Sequence, residues 1–277
     1  MKYLKAFFHI IIVVLLTLIT QVGGIIWIGV FAYFKYRRST WNKRKRLWSF
    51  SFVYALCVFF IVPILAPLNS RKALPVFNDR IAPHNLGYVL LCRNYVHNDL
   101  FNYMAFHSRN YHNGTSGLQL IYLDAGFPFI DGFPLLPHLS HNDGRKIDIA
   151  FPYRTKAGAA VNSNPSLLGY GVYVEPLDPK ITQAQKCKDA GFWQYDYAKY
   201  LGFNIYKDLT IDEALTNFMI DDMLEFLPAE KIFMEPHLIP RLELDQLPSH
   251  QRSKIRYHGC HAVRHDDHFH LQIYKDY

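Results

Sequence analysis

The chain has 277 residues, half of them hydrophobic, and a formal net charge of +7. This length is sufficient for one domain of ordinary size and an additional anchoring segment. Residues 1–46 contain nine of the 30 basic side chains and no acidic one, so the rest of the chain carries a net charge of −2. Because the basic excess is confined to the N-terminus, the domain lacks the basic surface of a nucleic-acid-binding protein, and we predict no nucleic-acid partner.

Two apolar segments near the N-terminus predict membrane-spanning helices. Residues 7–34 and residues 48–67 contain no Asp, Glu, Lys or Arg. Each run reaches the roughly 20 residues that a helix needs to cross about 30 Å of hydrocarbon. Neither run has the polar face of a helix that packs on a soluble core, and both exceed the apolar part of a cleaved signal peptide.

The segment between the two apolar runs is strongly basic. Residues 35–46 contain seven Lys or Arg and no acidic residue, whereas only Lys2 and Lys5 precede the first run. Because short basic loops remain in the cytoplasm, the sequence predicts a two-span anchor over residues 1–67 with both chain ends outside. Residues 68–277 are predicted to form an extracytoplasmic, periplasmic domain on the plasma or inner membrane.

The four cysteines divide between these two parts of the chain. Cys57 lies in the second apolar run, and the other three lie in the predicted outer domain, where disulfides persist. An odd number leaves one free thiol. A bridge to Cys260 would brace the segment before the C-terminal histidines, and we predict Cys187 as its partner in preference to Cys92, which would then be free.

The periodicity of the domain predicts strands and helices in an irregular order. Alternating apolar residues with β-branched and aromatic side chains predict strands over residues 118–124, 147–151 and 231–234 and from about residue 268. A capping box at residues 210–213 predicts the start of a helix that ends before Pro228. Its predicted buried face consists of Ile211, Leu215, Phe218 and Met219. This order favours an α+β fold, a compact domain with a central antiparallel sheet flanked by helices.

Thirteen of the 14 histidines lie in the predicted domain, and six residues in two short clusters are the informative ones. The first cluster contains His138, His141 and Asp148, and the second contains His265, His268 and His270. Residues two apart on a strand project to one face, so the last two histidines are expected to share a site. A bend at residues 266–267 would bring His265 to the same site. A turn at residues 142–144 would bring the residues of the first cluster together.

A single histidine or aspartate of this kind is more often solvated or simply hydrogen-bonded than functional. Two such clusters in one extracytoplasmic domain favour a functional site instead. Two neutral imidazoles and a carboxylate form a normal zinc site with one coordination position left open.

The two clusters resemble the zinc signature of the group that contains lysostaphin-type endopeptidases, D-alanyl-D-alanine metallopeptidases and the hedgehog signalling domain. The signature is Ser-His-x-x-Gly-x-x-x-Asp at residues 140–148, followed by His-x-His at residues 268–270. His138 and His265 each precede a signature histidine by three residues, and with residues 231–238 they make the chain similar to the penicillin-insensitive murein endopeptidase family. The resemblance covers about residues 118–273.

The resemblance implies a zinc-dependent peptidase that hydrolyses amide bonds of peptidoglycan stem peptides or their cross-links. It implies zinc ligation by His141, Asp148 and His270, catalytic roles for His268 and His265, and a place for His138 in the active site. The chain differs from the family at Asn142, where Gln is usual, and at Lys146, where Asp is usual. The membrane anchor also differs from soluble family members, so the substrate preference is the property most affected.

An alternative function is a membrane-anchored, zinc-containing wall-binding or interaction module without catalysis, since the hedgehog domain uses this zinc site for interaction. The additional imidazoles of His265 and His268 argue against it, because a structural zinc site does not require them. A serine or cysteine hydrolase is disfavoured, because no nucleophile-elbow motif surrounds Ser140 or Cys260. The oligomeric state and the choice between endopeptidase and carboxypeptidase activity stay open.

Overall fold

The computed structural model describes residues 2–37, 41–178 and 183–275, and residues 38–40 of the basic loop lie outside these ranges. Helices and strands follow one another in a mixed order, which confirms an α+β fold. The α-helices are α1 (Lys2–Thr20), α2 (Gly23–Tyr36), α3 (Lys43–Leu56), α4 (Val62–Leu65), α5 (Leu86–Leu90), α6 (Asn98–Gly114), α7 (Gln183–Asp189), α8 (Glu213–Glu225), α9 (Leu238–Arg241) and α10 (Ser249–Arg252). The strands are β1 (Arg71–Ala73), β2 (Ile81–Pro83), β3 (Tyr95–His97), β4 (Leu120–Tyr122), β5 (Lys146–Ala150), β6 (Tyr153–Arg154), β7 (Ala160–Val161), β8 (Thr210–Ile211), β9 (Ala229–Phe233), β10 (Ile255–Arg256) and β11 (His268–Ile273).

The domain is built on a six-stranded mixed sheet with the strand order β10-β9-β11-β5-β4-β2. Its four central strands are antiparallel, but β10 and β2 pair with their neighbours in parallel. The prediction of one central antiparallel sheet is therefore wrong at both edges. Helices α9 and α10 connect β9 to β10, and helices α5 and α6 lie between β2 and β4. Such long connections permit parallel pairing, which a tight hairpin does not. Two small antiparallel sheets, β1-β3 and β7-β6-β8, complete the fold.

The two central strands separate the core from the histidine clusters. In the pairing of β11 with β5, His270 lies opposite Asp148 and His268 lies opposite Ala150. The alternate residues on these strands are buried in the apolar core, namely Ile147, Ile149, Phe269 and Leu271. Because side chains alternate across a strand, the histidines and the aspartate project together from the opposite face of the sheet.

Helix α8 begins later than predicted. Asp212 is its N-cap, and the carboxylate of Asp212 accepts a hydrogen bond of 3.1 Å from the backbone N–H of Leu215. Thr210 is not the cap, because it pairs with β6 in strand β8. The predicted buried face is also wrong in part: Phe218 is exposed, and the buried residues of the helix are Thr216, Met219, Ile220, Met223 and Leu224.

The first apolar run forms two helices rather than one continuous helix over residues 7–34. The chain turns at Gln21, whose φ is +64°, and α1 and α2 pack against each other as an antiparallel hairpin. The indole N–H of Trp27 on α2 donates a hydrogen bond of 3.1 Å to His9 of α1. A Cβ on Gly24 would lie 2.0 Å from the hydroxyl of Thr17, so this glycine permits the close approach of the two helices.

Two helices of the N-terminal segment are long and apolar enough to cross a membrane. They are Tyr3–Thr20 and the continuous helix over Lys43–Asn69. The end of this bundle next to the domain shares an apolar cluster with it, in which Val58, Val62 and Ala66 pack with Phe127 and Leu135. The bundle is therefore attached to the domain by direct packing as well as by the polypeptide linkage.

The predicted disulfide is confirmed. Cys187 at the end of α7 is bonded to Cys260, with a sequence separation of 73 residues. Cys92 is buried and has a free thiol, as predicted. The bridge ties α7 to the segment that leads into β11.

Candidate metal centre

Three side chains from different parts of the chain converge above the central strands. Asp148 lies on β5, His270 lies on β11, and His141 belongs to the loop that precedes β5. His141 Nε2 lies 2.9 Å from His270 Nδ1 and 3.1 Å from Asp148 Oδ1, and His270 Nδ1 lies 2.9 Å from the same oxygen. All three residues are buried. Three donor atoms so close together can contact one common ion at metal–ligand distances of about 2.0–2.2 Å.

The protonation of His141 is determined by its backbone contact. His141 Nδ1 lies 2.7 Å from the carbonyl oxygen of Ala125, which only accepts hydrogen bonds. Nδ1 therefore carries the proton, and in the neutral ring the lone pair of Nε2 faces His270 and Asp148. An imidazole that is oriented in this way by a carbonyl group is the usual arrangement of a metal-binding histidine.

The second carboxylate oxygen of Asp148 faces the remaining residues of the site. Its Oδ2 accepts a hydrogen bond of 2.9 Å from the hydroxyl of Tyr170 and lies 2.6 Å from His138 Nδ1. Burial and the charges of Asp124 and Asp148 raise the pKa of Tyr170 well above its usual range, so the hydroxyl remains protonated and donates. Asp148 thereby connects the two histidine clusters.

His268 presents an unpaired nitrogen to this site. Its Nδ1 donates a hydrogen bond to Asp267, while its Nε2 lies 3.8 Å from Asp148 Oδ2 and has no hydrogen-bond partner among the described residues. Burial lowers the pKa of His268, but the charges of Asp148 and Asp267 outweigh this effect and raise the pKa above its ordinary value. This buried nitrogen, which has no hydrogen-bond partner among the described residues, therefore faces Asp148, one of the predicted metal ligands.

His265 also reaches the site, after a bend at residues 266–267. Its Nδ1 donates a hydrogen bond of 2.8 Å to the carbonyl of Val263, so Nε2 holds the lone pair of the neutral ring. The ring centroid lies 4.7 Å from that of His268. Burial, followed by the proximity of His268, lowers the pKa of His265 well below its usual range, and the ring is neutral.

Burial also controls the other two ionisable groups of the centre. It raises the pKa of Asp148, but the surrounding imidazoles, His141 first, outweigh it and hold that pKa well below the usual range. Burial lowers the pKa of His270 to about 4. At neutral pH Asp148 is therefore a carboxylate and His270 is a neutral imidazole, which are the protonation states that metal binding requires of these two groups.

The donor set suits a metal ion. Two groups of His and Asp side chains have donor atoms that all lie within 4.8 Å of one another, and both include Asp148. The groups are His138, His141 and Asp148, and Asp148, His265 and His268. The predicted ligands His141, Asp148 and His270 lie closer still, so the structure brings together all six residues that the sequence indicated.

Two contributors to the site were not among the predicted residues. Tyr170, between two glycines, reaches Asp148 from a loop in which no local pattern indicates a function. Glu235 is buried and accepts hydrogen bonds from the backbone N–H of His265 and from the hydroxyl of Tyr195, at 3.2 Å and 2.6 Å. Glu235 lies within residues 231–238, the segment that resembles the murein endopeptidase family, and this is the only signal that could have identified it.

A groove of about 290 Å³ opens beside the centre. His138, Tyr170 and His268 are among its lining residues. The lining also includes Tyr88, Leu91, Pro137, Tyr197 and Leu201. The imidazole of His268 therefore borders the groove.

The chain matches no protein-family model and no curated protein. The functional interpretation therefore depends on the residues of the site and on the resemblance carried by the two histidine clusters.

Proposed function

We propose that this protein is a zinc-dependent peptidase, anchored in the plasma or inner membrane, that hydrolyses amide bonds in peptidoglycan peptides outside the cytoplasm. The observation that carries the proposal is the convergence of His141, Asp148 and His270, whose donor atoms lie within 3.1 Å of one another in a buried site. An adjacent imidazole, His268, has a free nitrogen that faces the same site. A ligand set and a separate proton acceptor are the two components that a hydrolytic metal site requires.

The three donors would hold zinc. Two imidazole nitrogens and one carboxylate oxygen suit zinc better than magnesium or calcium, which prefer oxygen ligands alone. A bound zinc ion supplies Lewis acidity, which polarises a carbonyl group and lowers the pKa of a coordinated water to about 7. The carbonyl of Ala125 orients His141, and the hydroxyl of Tyr170 orients Asp148, so both ligands are held by hydrogen bonds in the absence of substrate.

His268 is the proposed general base. Asp267 holds the Nδ1–H of His268, which leaves Nε2 free to accept a proton from water and then to return it to the leaving amine. No His-Glu-x-x-His helix supplies a glutamate base in this chain. His265 and His138 flank this imidazole, with ring centroids 4.7 Å and 6.1 Å from it. We assign them to substrate positioning.

The location of the domain follows from the charges of the N-terminal segment. The seven basic residues within residues 35–46, at the junction of α2 and α3, favour a cytoplasmic position for this junction, and the domain is attached to the opposite end of α3. Peptidoglycan lies on that side of the membrane. The assignment of peptidoglycan as substrate rests on the family resemblance of the two clusters.

The proposed function is tested with the purified full-length protein in detergent micelles. We expect about one equivalent of zinc per chain and the release of peptide fragments from purified peptidoglycan, with both lost in the His270→Ala variant. The matched control is His250→Ala, which removes an exposed histidine outside the site and should retain both. Full zinc occupancy in His270→Ala would refute the ligand set. Zinc and peptidoglycan binding without cleavage across several wall types would favour the non-catalytic binding module.

A further inference from the structure

Five exposed apolar side chains lie on the two elements that also line the groove. They are Leu86, Leu90, Ile130, Leu136 and Leu139, and each is between 39% and 57% exposed. The two leucines of α5 and the three residues of the loop between β4 and β5 form what we call the apolar rim. The groove is lined by other residues of the same two elements, including Tyr88 and Pro137. The rim and the entrance to the candidate site are therefore neighbours.

Both elements of the rim contact the N-terminal helices. The hydroxyl of Tyr54 on α3 donates a hydrogen bond of 2.6 Å to the backbone carbonyl of Leu90. The side chain of Gln21, at the turn between α1 and α2, accepts a hydrogen bond of 2.9 Å from the backbone N–H of Phe129. The position of the rim relative to the bilayer is therefore determined by the position of these helices.

The contact between the helices and the domain lies at the depth of the hydrocarbon. Val58 packs against the rim loop. It follows Arg46, the last residue of the basic segment, by twelve residues, which correspond to about 18 Å of helix. This distance is shorter than the roughly 30 Å of hydrocarbon that a spanning helix must cross. Beyond Val58, Ile64 and Leu68 are 74% and 82% exposed on the side of the helix that faces away from the domain. These two side chains extend the apolar surface of the helix past the height at which the domain begins.

Charges near the rim have partners within the protein. Asp131, which follows Ile130 in the rim loop, forms an ion pair with the buried Arg71, and the Asp131 side chain is 74% exposed. Arg93, on the groove wall, donates hydrogen bonds of 2.8 Å to Asp124 and to the carbonyl of Leu136. Pairing lowers the cost of placing these charges near an apolar phase, and the exposed carboxylate of Asp131 is expected at the level of the lipid head groups.

We propose that the apolar rim is immersed in the outer leaflet of the bilayer, so that the groove opens at the lipid surface and receives membrane-tethered substrates. This inference rests on the membrane anchoring in the proposed function. Helix α2 has 14 residues and spans about 21 Å, so the hairpin alone is shorter than the hydrocarbon. The rim supplies the apolar surface that covers the remaining thickness beside the hairpin. Lipid contacts the rim. The adjacent groove binds a peptide that carries a lipid.

The depth of the rim is measured directly on the full-length chain in nanodiscs of phosphatidylethanolamine and phosphatidylglycerol. In a Cys57→Ser background, Leu86→Cys and Leu139→Cys are labelled separately with an environment-sensitive fluorophore. Ser249→Cys is the matched control, since this exposed residue of α10 precedes β10, at the sheet edge opposite β2. Two rim positions on different elements keep the test valid if one variant fails to fold.

We expect both rim labels to be quenched by lipids that carry a spin label in the acyl chain, and the control label to be quenched by aqueous iodide alone. Quenching of both rim labels by iodide to the same extent as the control would overturn the proposal while leaving the peptidase function intact. Removal of the chain from vesicles by alkaline carbonate would instead refute the membrane anchoring, and the rim proposal with it. Loss of peptidase activity in a correctly inserted chain would refute only the proposed function.

Discussion

At the scale of single residues, Asp148 connects the two histidine clusters. Its Oδ1 lies near His141 and His270, and its Oδ2 lies near His138 and Tyr170. One carboxylate therefore contacts the proposed ligands on one side and the substrate groove on the other. Removal of this charge would leave several buried imidazoles without their common partner, so its effect would not be specific to one function. Substitutions of the histidines separate metal binding from catalysis more clearly.

The first residue-scale prediction concerns His268. His268→Ala should retain zinc but lower kcat/KM by about 10²–10⁴, the usual contribution of general acid–base catalysis. His265→Ala should also retain zinc, with a smaller or comparable loss of activity. Metal analysis and peptidoglycan digestion are measured on the same preparations, with His250→Ala as control. Wild-type turnover by His268→Ala would refute the role of His268 as base without affecting the zinc assignment.

The second residue-scale prediction concerns pH and His270 in the chelated protein. Burial lowers the pKa of this histidine to about 4 in the folded state, below the ordinary value near 6.5. Between these values the unfolded chain binds a proton that the folded chain does not, so the free energy of unfolding falls as the pH is lowered. Over one and a half pH units this effect amounts to about 2 kcal/mol.

Thermal unfolding of the chelated protein in micelles at pH 7 and pH 5 tests this expectation. The decrease in Tm towards pH 5 should be smaller in His270→Gln than in the wild type, because Gln does not titrate. An equal decrease in the two proteins would contradict the assignment of the effect to His270.

At the scale of secondary-structure elements, the disulfide and the N-terminal hairpin restrain the segments that carry the site. The bridge connects α7 to the segment before β11, and Gln21 contacts the backbone of the loop that leads to His138 and His141. Both restraints act on long connections rather than on the sheet itself. The central strands, whose apolar residues are fully buried, supply the rigid base of the site.

The element-scale prediction concerns the Cys187–Cys260 bridge. Closing a loop of 73 residues stabilises the folded chain by about 4 kcal/mol in the chain-entropy model. For a domain of this size, reduction should lower Tm by roughly 10 °C. Thermal unfolding with and without reductant measures this change, and the Cys187→Ser/Cys260→Ser variant should show no response to reductant. An unchanged Tm after verified reduction would contradict the prediction.

At the scale of the whole molecule, the hairpin changes the expected topology. Because α1 and α2 are antiparallel, Lys2 and Lys5 lie at the same end of the bundle as the basic loop. The charges of Lys2 and Lys5, which opposed the two-span topology, now favour the same side of the membrane as the basic loop. The positive-inside rule therefore favours a chain with its N-terminus in the cytoplasm and its domain outside.

The topology prediction is tested with short epitope tags on intact spheroplasts. A tag at the N-terminus should be protected from added protease, and a tag after Tyr277 should be cleaved. The physical reason is that nine basic side chains, with no acidic one among them, would all lie on the cytoplasmic side. Cleavage of the N-terminal tag in intact spheroplasts would restore the two-span topology, with both ends outside.

A second whole-molecule prediction follows from the position of the apolar rim. A peptide substrate attached to a lipid in the same bilayer should have a KM at least roughly tenfold lower than the free peptide, because tethering raises its effective concentration. The Leu86→Ser/Leu139→Ser variant should lose part of this advantage while its kcat/KM on the free peptide is unchanged. Equal KM values for the two substrates would contradict the prediction.

The sequence by itself determined the features that depend on neighbouring residues. The spacing of the two histidine clusters, the apolar alternation of β5 and β11, the turn at Gly144 and the basic loop are local patterns, and local backbone geometry translates them directly into side-chain directions. The Cys187–Cys260 pair was also predicted, from the count of cysteines in residues 68–277 and the proximity of Cys260 to the second cluster.

Only the tertiary structure decided the features that depend on distant contacts. Tyr170 and Glu235 reach the site through long-range hydrogen bonds, the parallel edges of the sheet follow from helical connections, and the break at Gln21 separates one apolar run into two helices. None of these leaves a periodic signal in the chain, because each is stabilised by partners that are far away in sequence. The depth at which the domain contacts α3 also depends on distant contacts, since it is determined by the helix faces that the domain covers.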